Sequence, residues 1–192
     1  INGSPRRGGT TRSLVGAVLG AAARHGAGTA MFALGELALG PCQACGGCAE
    51  TGWCVIRDGM DEIYRAFDEA DAVVIGSPVY FGTVSAQLKA MVDRFHCAWI
   101  SKERLGRARL TPKRRRGFLI AVQASGRDDS FAAVRSVVRA LFATLGIECG
   151  GELLVSDTDR TDVINEGGAL FSEAIRFGEG IVGPRNGGQE GS

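Results

Sequence analysis

Apolar residues recur along this chain at two periods. Leu14, Val15, Val18, Leu19 and Ala22 share one face at the helical spacing, which predicts a first helix. Met60, Ile63, Tyr64 and Phe67 repeat that spacing after Asp58, a residue suited to capping. Leu88, Met91, Val92 and Phe95 predict a third helix opened by Ser85. Val134, Val137, Val138, Leu141, Phe142 and Leu145 predict a fourth, and a weaker pattern runs from Ala169 to Phe177. Between them, Thr29–Leu34, Ala72–Ser77, Gly117–Ala124 and Glu152–Val155 are β-prone. The runs 71–76 and 117–122 are nearly continuously apolar, as strands covered on both faces are. Ile1-Asn2-Gly3-Ser4 reads as the end of one more strand, with roughly five further apolar residues expected before Ile1. Strands alternating with helices in this way predict a five-stranded parallel sheet covered by helices on both sides.

Composition narrows the class. The chain has 192 residues, a net charge of +1, 45% hydrophobic and 22% charged residues, so it is long enough for one packed core and is not a disordered polymer. The expected domain covers 1–178 with a cysteine-rich insertion at 35–59. Residues 179–192 are expected as a flexible, glycine-rich tail. No apolar run approaches the roughly 18 residues of a membrane helix, and the balanced charge offers no global attraction for nucleic acid or membrane. The expected location is cytoplasmic: four of the six cysteines fall between Cys42 and Cys54, a grouping that in an intracellular protein points to metal or redox chemistry.

Two loops carry candidate binding chemistry. Gly3-Ser4-Pro5-Arg6-Arg7-Gly8-Gly9-Thr10-Thr11 joins the first strand to the first helix, where backbone N–H groups, hydroxyls and an arginine suit a phosphate monoester. The alternative is a glycine-rich turn with a threonine cap. The loop has neither the lysine of a Walker A motif nor GxGxxG spacing. Pro78-Val79-Tyr80-Phe81-Gly82-Thr83 follows the strand at 72–77. It offers a flat aromatic surface beside backbone donors, which suits a planar heteroaromatic ring; the alternative is a turn whose aromatics enter the core. A phosphate on one loop and a ring on the other describe flavin mononucleotide (FMN).

Gly3-Ser4-Pro5-Arg6…Gly9-Thr10-Thr11 and Ser77-Pro78-Val79-Tyr80-Phe81-Gly82-Thr83 resemble the two signatures of the NADPH-dependent FMN reductase branch of the flavodoxin-like fold. The resemblance implies a doubly wound five-stranded parallel sheet in three α/β/α layers. It implies that Ser4, Arg6, Thr10 and Thr11 hold the phosphate. Pro78, Val79, Tyr80, Phe81, Gly82 and Thr83 would cradle the ring, with Ser125 and Gly126 closing over it. Thr10 stands where the family commonly has asparagine, and Val79 and Tyr80 are open to exchanging roles.

The spacing Cys42-x2-Cys45-x2-Cys48-x5-Cys54 is closer to the compact run that wraps a [4Fe–4S] cluster than to the separated knuckles of a zinc site. In this position it resembles the iron–sulfur flavoproteins, which implies metal ligation by all four cysteines, electron transfer between a one-electron carrier such as ferredoxin and a flavin-reducible partner, and a homodimer or homotetramer. Cys97 and Cys149 are expected to be structural. No side chain presents itself as a general acid or base. One alternative is a cluster-free reductase of quinones, nitro compounds or flavin that uses NAD(P)H; another is a zinc-stabilised interaction module. The segment Lys102–Arg116 carries eight basic residues against one acid. It reads as a mobile linker or as a surface that steers an anionic partner.

Overall fold

The computed structural model describes residues 1–125, 131–158 and 168–183. In chain order it contains α1 (Thr10–Arg24), α2 (Met60–Glu69), β1 (Ala72–Tyr80), β2 (Thr83–Val84), α3 (Ala86–Arg94), α4 (His96–Glu103), β3 (Arg116–Val122), α5 (Phe131–Leu145), β4 (Glu148–Val155) and α6 (Ala169–Val182). Side chains alternate across a strand, so each doubly apolar strand feeds two cores. Val73 and Ile75 of β1, with Leu119 and Ala121 of β3, pack with α2, α3 and α5 residues such as Phe67, Met91 and Val138. Val74, Phe118, Ile120 and Val122 face the other way, against Leu14, Val15 and Val18 of α1 and Ala174 and Ile181 of α6. The result is the expected α/β/α layering.

The sheet runs β2-β1-β3-β4; β1, β3 and β4 are parallel and β2 is antiparallel to β1. Two of the five expected parallel strands reduce to single-residue bridges: Asn2 pairs with Gly76 on one side and with Ala33 on the other. Gly3 N–H donates to Gly76 O at 2.8 Å, and Leu34 N–H donates to Asn2 O at 2.9 Å. In the segment Thr29–Leu34 the pairing with the Ile1–Gly3 stretch is the single Ala33–Asn2 bridge. Counting the bridges as positions, the parallel order is Ala33, Asn2, β1, β3, β4. All the carboxyl ends therefore lie at one edge, where ligands of open α/β sheets bind.

Ser85 caps α3 as expected, accepting from Leu88 N–H at 3.2 Å. Asp58 also accepts from Met60 N–H, at 3.0 Å, although Gly59 occupies the cap position of α2. Two differences from the sequence-based expectations concern helices. Helix α4 was not expected; it follows α3 directly and buries Cys97, Ala98 and Ile100. Helix α6 runs beyond the expected boundary at 178 to Val182. A Cβ on Gly178 would lie 2.4 Å from Val18 O, so this glycine permits close packing of α6 on α1 rather than ending the domain. Residues 184–192 of the expected tail lie outside the described residues.

The basic segment is also anchored rather than loose. Buried Arg115 donates to Phe67 O and Thr111 O, Lys113 to Asp71, and Lys102 to Ala143 O. The Arg109 guanidinium sits 3.4 Å from the centre of the Trp53 ring. Among the described residues, no helix is long and apolar enough to cross a membrane.

Candidate functional site

The loop from Gly3 to Thr11 enters α1 without a side-chain cap: Gly9 holds the cap position, and the first turn contains no acid. The threonine-cap alternative is therefore not realised, and the free N–H groups and positive dipole end of α1 remain available to an anion. Ser4 is buried beneath the loop. Its N–H donates to Asn2 Oδ1 at 3.1 Å, and its hydroxyl accepts from Arg6 N–H at 3.2 Å. Asn2 is fully buried and its Nδ2 has no hydrogen-bond partner. Thr11 is buried, Thr10 half-buried, and Arg6 and Arg7 are exposed. These groups fit a phosphate: hydroxyls, unsatisfied N–H donors and cationic side chains, with Glu36 drawn off by Arg12 at 2.5 Å.

The second loop is a two-residue hairpin between β1 and β2. Tyr80 pairs with Thr83, and Phe81 and Gly82 both have positive φ, 49° and 75°, which is a type I′ turn. Glycine accepts that conformation freely, whereas for phenylalanine it costs about 1–2 kcal/mol. The Phe81 ring is wholly exposed at the tip. Strand alternation separates the two neighbours whose roles were open: Val79 packs on the core, while Tyr80 is 38% exposed. Pro78 is buried at the base, and Thr83 is exposed.

Hydrogen bonds tie the two loops together. Ser85 Oγ donates to Gly3 O at 2.6 Å, Ser85 N–H donates to Ser77 Oγ at 3.1 Å, and Ser77 Oγ donates to Pro78 O at 2.8 Å. After β3, Ala124 and Ser125 are exposed, and Ser125 O accepts from Asp157 N–H at 3.4 Å. Gly126 lies outside the described residues.

The cysteine loop leaves the sheet after Leu34 and closes at a buried neck. Arg94, whose side chain is 0% exposed, donates through Nη1 to Gly40 O at 2.9 Å and to Asp58 at 2.6 Å. Through Nη2 it donates to Ile56 O at 3.0 Å and to Asp58 at 3.1 Å. Asp58 in turn accepts from Gly40 N–H at 3.1 Å. One guanidinium thus joins both ends of the loop. Burial raises the Asp58 pKa, but hydrogen bonds from Arg94, Met60 and Gly40 outweigh burial and hold it below the usual carboxylate value. Burial likewise opposes the Arg94 charge and is outweighed by Asp58, then by the neighbouring Cys54 thiol, so Arg94 stays protonated.

Cys42, Cys45, Cys48 and Cys54 line one cavity of about 150 Å³, with Cys97, Arg94, His96 and Arg104. All four are free thiols: Cys45 is exposed and the other three half-buried. Burial, then Cys97, with smaller effects from Cys54 and Cys42, pushes the Cys48 thiol above its ordinary value. As a donor set this suits an iron–sulfur cluster, because soft thiols surround the cavity, no carboxylate lines it and two guanidinium groups are at hand to offset thiolate charge. Among the described residues, however, no three histidine, cysteine or carboxylate side chains converge closely enough to hold a metal ion. The sulfurs share a cavity, not a coordination sphere. Sequence reasoning missed Arg94, Asp58 as its partner, and Cys97 as a cavity residue. Arg94 sits in the last turn of a helix, where a solvated arginine is the ordinary occupant. Cys149 is exposed on β4, away from this group.

Comparison with known proteins finds relatives in both sequence and fold. An iron-sulfur flavoprotein of Methanocaldococcus jannaschii is 49% identical over 94 residues, a stretch covering 49% of each chain. The iron-sulfur flavoprotein of Methanosarcina thermophila is 43% identical over 94 residues, again 49% of each chain. The chain thus spans about half the length of the curated relatives it matches. Among solved structures, the NAD(P)H:quinone oxidoreductase of Methanothermobacter marburgensis superposes with a TM-score of 0.63 at 14% identity over 92% of both chains, a likeness of flavodoxin-like fold. The model of the NADPH-dependent FMN reductase family matches residues 1–156, and the chain belongs to that family.

Proposed function

We propose that this chain is an FMN-dependent oxidoreductase that also carries a [4Fe–4S] cluster. The observation that carries the FMN reading is that the uncapped start of α1 and the strained aromatic hairpin rise from neighbouring strands and are tied by the Ser85–Gly3 hydrogen bond. Ser4, Arg6, Thr10 and Thr11 hold the phosphate. Pro78 to Thr83 pack against the ring, and Ser125 and Gly126 border it. Cys42, Cys45, Cys48 and Cys54 ligate the cluster, supported by their common cavity and by the names of the curated relatives. The flavin supplies one- or two-electron chemistry and the cluster single electrons. The protein's own part is to position both groups, shield them and hold the neck of the cysteine loop shut. The electron donor is a one-electron carrier such as ferredoxin, or NAD(P)H. Exposed Trp53, Val55, Phe81 and Trp99 support assembly as a homodimer or homotetramer.

A second reading, the cluster-free NAD(P)H-dependent reductase, is favoured by the absence of converging ligands among the described residues. The FMN site is common to both and has its own test. Fluorescence titration of the flavin-free protein should show riboflavin binding on the order of 100-fold more weakly than FMN, because riboflavin forgoes one or two charge-assisted hydrogen bonds of about 1.5–3 kcal/mol each. Equal affinity for the two would remove the phosphate role from the Gly3–Thr11 loop.

A further inference from the structure

Arg94 has more than one face. Its two terminal nitrogens are committed to the neck of the cysteine loop, through Gly40 O, Ile56 O and the Asp58 carboxylate. Its Nε is buried and has no hydrogen-bond partner. The same side chain lines the cavity shared by Cys42, Cys45, Cys48 and Cys54. A clamp alone needs only the terminal nitrogens. A buried N–H donor without a partner, on a side chain bordering four soft sulfur acceptors, calls for a second explanation.

We propose that Arg94 tunes the redox centre in this cavity, its Nε–H donating to a cysteine or cluster sulfur while its terminal nitrogens keep the loop closed. This inference rests on the cluster reading and adds a positioning residue to it. An N–H···S bond and an adjacent positive charge stabilise the more negative, reduced form of a cluster, and hydrogen bonding to the sulfurs is one of the levers that set its potential. The clamp serves the same end. Because Asp58 accepts from both terminal nitrogens and fixes the guanidinium, the donor is held in place and does not have to be recruited from solvent. Arg104 also lines the cavity but is exposed, and its guanidinium lies 5.9 Å from the Trp99 ring centre, so its charge is screened by water.

The test uses the anaerobically isolated protein carrying its flavin and iron. An EPR-monitored redox titration compares wild type, Arg94→Lys and Arg104→Gln. Lysine keeps the charge but cannot provide both the two-pronged clamp and an Nε donor. The expected result for Arg94→Lys is a cluster harder to reduce, with the oxidised-to-reduced ratio at a fixed potential rising about tenfold, a midpoint shift of about 59 mV for one electron. Arg104→Gln is expected to shift less. Pulsed EPR of the reduced cluster in protein labelled with 15N-arginine, in the Arg104→Gln background, should show coupling to a guanidinium nitrogen. This second measurement leaves Arg94 intact, so it decides the matter even if Arg94→Lys fails to fold. Absence of that coupling in an iron-loaded protein overturns the role of Arg94 and leaves the cluster reading standing. Wild-type protein isolated without iron overturns both.

Discussion

Replacing Asp58 with alanine is expected to lower the free energy of unfolding by about 3–5 kcal/mol, the usual consequence of stripping the partner from a buried charge. The Arg94 side chain is wholly buried and its partner carboxylate only 16% exposed, so the remaining guanidinium would have no counter-charge and two fewer acceptors. Gly40 N–H and Met60 N–H would lose their acceptor as well. The Lys89–Asp93 pair on α3 makes the control: its side chains are 50% and 42% exposed, and Asp93→Ala should cost only about 0.3–0.5 kcal/mol.

The Asp58 effect carries a pH signature. Its folded-state pKa lies below the ordinary value. The carboxylate therefore contributes its full stabilisation above the unfolded pKa of about 3.9, and that contribution drains away as pH falls through the lower folded value. Urea unfolding at neutral pH should separate wild type from Asp58→Ala by the full amount, and the gap should shrink as the medium is acidified below pH 4. A gap equal to that of Asp93→Ala, or one unchanged by acid, would refute the clamp.

Cys48→Ala is expected to abolish iron binding and leave FMN bound at about one per chain. Cys48 sits in the middle of the compact run and is packed against the main core, while the phosphate and ring loops are built from residues 3–11 and 78–83. Removing one of four ligands leaves a cluster open to solvent and incomplete in charge, so iron should fall to background. Cys149→Ala, which changes an exposed residue on β4 outside the cavity, should leave iron content untouched. Iron retained in Cys48→Ala would remove this residue from the ligand set. Loss of FMN together with iron would show that the two sites are not separately built.

What was legible in the sequence was what depends on near neighbours. The period of Leu14, Val15 and Val18, the cap at Ser85 and the doubly apolar runs of β1 and β3 each follow from residues a few positions apart, and the structure reproduces them. The two loops are picked out as candidates for the same reason, because hydroxyls, glycines and aromatics at strand ends are read locally. Features built by long-range contact were not. The Arg94–Asp58 clamp joins residues 36 positions apart. The basic segment owes its anchoring to carbonyls of α2 and α5. Gly178 reads as the end of the domain because a glycine that lets two helices touch has the same letter as one that ends a helix. The cysteine spacing sits between these cases: it singles out four candidate ligands, while their common cavity depends on α3 and α4.

The most direct test of the account is the cofactor content of protein purified without oxygen from iron-supplied cells, read as FMN, iron and acid-labile sulfide per chain. The account predicts about one FMN with about four iron and four sulfide. One FMN without iron would contradict the cluster and leave the cluster-free reductase; zinc without flavin would contradict the redox function itself.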